Sequence, residues 1–145
     1  MRWDVEGVTT LLDSAVAPLA ALTPGSLCRI GGRDLLGIAA QLEQVARLVF
    51  AAQLIVVDEI NARDLAGTMG SPSTTALLSE YLLIPRGQAK ARVQAATATL
   101  SQDSMTGGEL DPVLPTLADA IANGVINPDQ VRSIIDTMQV LDDRV

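Results

Sequence analysis

The chain has 145 residues, enough for one domain with a hydrophobic core and too few for two ordinary ones. Seventeen acids against ten bases give a net charge of −7, which repels phosphate at long range and argues against nonspecific coating of nucleic acid. The absence of histidine and the single cysteine, Cys28, exclude histidine-dependent catalysis, a thiolate metal centre and an intrachain disulfide. No catalytic residue, metal or cofactor is expected.

Trp3, Phe50 and Tyr81 are the only aromatics, so Leu, Ile, Val and Ala must fill the core. The opening run Arg2-Trp3-Asp4-Val5-Glu6 carries acids where an export signal carries bases. Gln41, Glu43, Gln44, Arg47 and Gln53 interrupt the most apolar stretch, residues 35 to 57, so it does not read as a membrane span. A cytoplasmic location is expected, with no membrane partner.

In chain order, Val5, Val8, Leu11, Leu12, Ala15, Leu19 and Leu22 recur at three- and four-residue steps and predict an amphipathic helix that Pro18 bends or divides. Thr23-Pro24-Gly25-Ser26 ends it. From Arg33 to about Ala66 a long helix is predicted. Its seam is Leu35, Ile38, Leu42, Val45, Val49, Ala52, Val56 and Ile60, and Leu36, Phe50, Leu54 and Val57 form a second stripe. Apolar on most of its surface, this helix is expected to be central, wrapped by neighbours or by a second copy.

Gly67 to Gly70 is read as its break, and Ser71-Pro72 as a hydroxyl cap and first-turn proline opening a short helix to about Leu82. Pro85 forces a turn at Leu83-Ile84, and a further helix runs from Arg86 to about Leu100. Residues 101 to 108 read as a loop. Thr116 to Asn123 is predicted helical, Gly124 caps it, and Asn127-Pro128 opens the last helix, with Val131, Ile134, Ile135, Met138 and Leu141 as its buried face. A shift of 42 positions aligns Ala76 with Ala118, Ile84 with Ile126, Gln88 with Gln130 and Lys90 with Arg132.

The expected architecture is therefore all-α: one domain over residues 1 to 145, a helical bundle with one long central helix at about 33 to 66 and two helix-turn-helix-like units within 71 to 145.

Between Glu80 and Asp103 the chain carries Arg86, Lys90 and Arg92 and no acid. On a helix, Ala89, Val93, Ala96 and Leu100 form the expected core face and Arg86, Lys90, Gln94 and Thr97 one flank. Arg86, Lys90, Arg92 and Gln94 are the candidate nucleic-acid contacts, with phosphates and base edges as targets. Ala91, Ala95 and Ala98 form an outward strip suited to close packing, so these alanines, with Val49 and Val56, are candidate interface residues for self-association.

Three stretches resemble the actinobacterial domain of unknown function 222. They are Val49 to Leu54 with the acidic tail that follows; Thr75 to Leu78 with Leu83 to Ala89; and Leu114 to Ala120 running into Gly124 to Val131 and Ile134. Leu77 stands where the family usually has tryptophan, Leu83 at the usual turn glycine, and Gln130 at a position often histidine. The resemblance implies a domain that precedes an HNH endonuclease module. That module needs histidines, so metal, water and scissile phosphate would belong to a separate C-terminal part. The expectation is a non-catalytic helical domain that positions such a nuclease on DNA, with self-association without nucleic-acid contact as the alternative.

Overall fold

The structure is a computed structural model describing residues 2–100, 102–103 and 109–144. Among the described residues its regular structure is helical except for a two-residue antiparallel ladder pairing β1 (Gln102–Asp103) with β2 (Glu109–Leu110). That ladder lies where a plain loop is expected at residues 101 to 108, the rest of which falls outside the described residues. Two residues per strand are too few to leave an alternating signature in sequence.

The chain divides into two compact units, residues 1–40 and 41–145. The first contains helix α1 (Val5–Ala20) and the start of α2 (Gly32–Ala62). Asp4 caps α1, its carboxylate accepting from the Gly7 N–H at 2.7 Å. Pro18 does not divide this helix. It lies in the last turn, where the missing N–H removes one bond and little helix remains to be redirected. None of residues 2–40 is buried, and every apolar position of the α1 stripe faces outward.

The second unit holds the rest of α2, then α3 (Leu65–Thr68), α4 (Thr74–Leu82), α5 (Arg86–Thr99), α6 (Pro115–Ala122) and α7 (Pro128–Asp142). The long helix stops at Ala62, earlier than the expected 66. Asp64 turns left-handed at φ 48° and caps α3, accepting from the Gly67 N–H. Similarly, the capping hydroxyl of α4 is Ser73 rather than Ser71, bonding the Ala76 N–H at 3.1 Å. A buried Thr74 hydroxyl donates to Asn61 at 2.7 Å and ties the start of α4 to the end of α2.

Helix α5 packs against α4, α6 and α7. Its Ala89, Ala95 and Ala96 are 0–2% exposed, because alanine on a helix surrounded by others lets the axes approach closely. Phe50, Leu54 and Val57 of α2 join Leu78, Leu117, Ile121, Val131 and Ile135 to complete the core. On α7 only Val131 and Ile135 are buried. Ile134, Met138 and Leu141, expected inside, are 37–51% exposed, the first two lining a shallow apolar groove with Leu114 and Leu117.

The α4–α5 and α6–α7 pairs each turn on a left-handed residue. Gly124, at φ 65°, ends α6; a side chain there would also strike Gln44, whose amide donates to Asn123 O. Asn127 and Gln130 then form a reciprocal capping box at the start of α7. The other pair uses Leu83, at φ 54°, in the position where glycine is the natural choice. The turn is held from both sides: the Ile84 N–H donates to Ser79 O, and the Ser79 hydroxyl donates to Ile84 O at 2.8 Å.

Leucine costs roughly 1–2 kcal/mol in this conformation, and glycine recovers it less the larger freedom it brings to the unfolded chain. The Leu83 side chain is 89% exposed and contributes little packing. Leu83→Gly is therefore expected to raise stability by about 0.5–1 kcal/mol in denaturant titration; a lower midpoint would show that the side chain matters more than the backbone.

Candidate functional site

Two surfaces of the second unit bear on function. The first is on α2. The second stripe foreseen in the sequence, through Phe50, Leu54 and Val57, is the one in the core. The middle of the heptad-like seam lies about 120° round the helix from that stripe and is bare: Leu42, Val45, Val49 and Val56 are 40–58% exposed, with Ala52 also exposed, whereas Ile38 is half-buried and Ile60 packs against the core. Leu48 and Ile55 widen this face.

The steps from Leu42 through Val45, Val49 and Ala52 to Val56 are three, four, three and four residues. A three-four repeat keeps a straight seam toward a partner helix when the two supercoil. The flanking positions Gln41, Ala46, Leu48, Gln53 and Ile55 carry no charge. The charged residues lie off the seam: Arg47 pairs with Glu43 at 3.2 Å and donates to Val125 O at 3.1 Å, anchoring α2 to the α6–α7 connection.

The candidate interface residues separate accordingly. Val49 and Val56 are on the bare face. Ala91, Ala95 and Ala98 are not an outward strip: Ala95 is 1% exposed in the chain's own core, Ala98 is half-buried against that core, and Ala91 is half-buried. The buried face of α5 is turned by about 60° from the expected one, since its buried residues include Ala95 and Thr99 while Val93 and Leu100 are only half-buried. Small residues were a correct sign of close packing, but the partners are helices of the same chain.

The second surface is on α5. The three residues Leu83, Ile84 and Pro85 connect α4 to α5, and Arg86 and Lys90 lie exposed on one stripe with Thr97. Neither base makes an ion pair among the described residues. Gln94 is half-buried beside them. Arg92 departs from this group: it lines a cleft of about 420 Å3 with Phe50, Gln53, Gln88, Asp129 and Arg132. The four candidate contacts therefore do not form one surface.

No group of three or more acidic or cysteine side chains among the described residues is placed to hold a metal ion. No helix among them is long and apolar enough to cross a membrane.

The profile of a family described as a domain of unknown function, DUF222, matches residues 36–145. The chain belongs to the DUF222 family. The match takes in the whole second unit with its bare α2 face and basic α5 stripe, and begins within the first. No curated protein and no solved structure matches the chain.

Proposed function

We propose that this DUF222 domain is a self-association module whose contact surface is the α2 face built from Leu42, Val45, Val49, Ala52 and Val56. One observation carries the reading: a helix already packed on one side presents an uncharged three-four apolar repeat on the other. Such a repeat suits a helix with the same repeat, and a second copy supplies one. Uncharged flanks put no like charges in the way of identical helices. Covering a half-exposed Val or Leu contributes on the order of 1 kcal/mol, and both copies contribute every position.

Sedimentation equilibrium of the purified chain tests the proposal, with a dimer or higher species expected to grow with concentration. Added salt should strengthen it. Each copy carries −7, and screening that repulsion leaves the apolar contact intact. A concentration-independent monomer sinks the reading.

Arg86 and Lys90, exposed and without an ion pair among the described residues, lie on the second of two helices joined by a three-residue turn and favour a second reading, a DNA contact through α5. The HNH nuclease context implied by the family resemblance agrees with it. Its salt dependence has the opposite sign. With two phosphates neutralised per copy, the logarithm of affinity should fall with that of salt with a slope of about −2, and Lys90→Glu should weaken binding and flatten the slope. Absence of binding to duplex DNA at low salt removes this reading and leaves the first untouched.

A further inference from the structure

The order of side chains along the bare α2 face distinguishes the two ways in which identical helices pair. We infer that two copies join through α2 in antiparallel orientation, with Leu42 opposite Ala52 of the second copy and Val45 opposite its Val49. This rests on the self-association reading and adds its geometry.

Two features carry it. In a parallel pair each seam residue meets its own copy, so a Leu42 layer, three Val layers and an Ala52 layer differ widely in volume, and the Ala52 layer leaves a void between Val49 and Val56. In the antiparallel register the four layers from Leu42 to Ala52 run Leu with Ala, Val with Val, Val with Val and Ala with Leu, and their summed side-chain volumes are far more even.

The second feature is charge. Past Val56 a strict three-four repeat falls on residue 59, a glutamate, while the apolar seam steps to Ile60, which packs against the chain's own core. Parallel pairing sets the two Glu59 carboxylates against each other in one layer, whereas antiparallel pairing sends them to opposite ends of the contact. Arg63, just beyond the end of α2, pairs with Glu59 of its own chain, and both side chains are exposed.

Cysteine cross-linking in a Cys28→Ser background reads the orientation directly. Within an antiparallel pair, Leu42→Cys cannot reach its own copy: the two are ten residues out of register, about 15 Å along the axis, and a disulfide needs Cα atoms within roughly 7 Å. The same holds for Ala52→Cys. The expected result is that neither single variant forms a disulfide dimer under mild oxidation, while an equimolar mixture yields a heterodimeric disulfide, tracked by mass spectrometry.

A covalent dimer of Leu42→Cys alone overturns the orientation and leaves self-association standing. Failure of every combination to cross-link, in a protein that still sediments as a dimer, overturns the assignment of the contact to this face. A protein that sediments as a monomer at all concentrations overturns the underlying reading as well.

Discussion

On the self-association reading, Val49→Asp is expected to leave the protein monomeric with its helices intact. Val49 is 49% exposed in the isolated chain, so a carboxylate there remains solvated and disturbs no core contact. In the associated state it lies in the middle of the apolar contact, once from each copy. Removing such a charge from water without a partner costs several kcal/mol, and two are removed together. The dissociation constant should rise at least a hundredfold, roughly 3 kcal/mol. Sedimentation equilibrium measures the change and far-ultraviolet circular dichroism checks the fold. An unchanged oligomer would mean that the seam is not the contact.

Leu54→Ala and Val56→Ala, two residues apart on the same helix, should differ sharply in their effect on folding. Leu54 is 1% exposed in the core cluster, and its truncation leaves a cavity beside neighbours that relax only in part. A loss of about 3 kcal/mol is expected, which for a unit of this size lowers the melting temperature by roughly 12–24 °C. Val56 is 58% exposed, and its truncation should change stability by no more than about 0.5 kcal/mol. Both are best measured in the Val49→Asp background, where association makes no contribution. Equal effects would show that the assignment of core and bare faces is wrong.

That pair also marks where the sequence is silent. Element ends are readable wherever backbone chemistry dictates them: Pro85 before α5, Gly124 after α6 and the Asn127-Pro128 start of α7 are all where the residues require. The two apolar stripes of α2 are readable as well. Periodicity does not say which of two apolar stripes meets the chain's own core, and here the less regular one does. On α5 the difficulty is alanine, which packs on any side; three neighbouring helices bury Ala95 as fully as Ala89.

The basic stripe is legible in part. Arg86 and Lys90 are outside as the helical wheel predicts, whereas Arg92 lines the cleft to which Arg132 of α7 also contributes, a proximity across two helices that no local pattern encodes. Leu83 stands at the family's usual turn glycine, but leucine does not itself favour the left-handed region; the bonds between Ser79 and Ile84 hold it there, whereas Asp64 is of a type that enters that region more readily.

On the self-association reading, α2 serves the fold on one side and a second molecule on the other. The seam is straight only while α2 is wound, and α2 is held wound by Phe50, Leu54 and Val57. Unfolded chains have no seam to offer, so mass action ties the two equilibria together: each increment in protein concentration withdraws folded copies into the assembly and pulls the unfolded population after them. The thermal midpoint should therefore drift upward on concentration, and dilution alone should act on this domain as a mild denaturant.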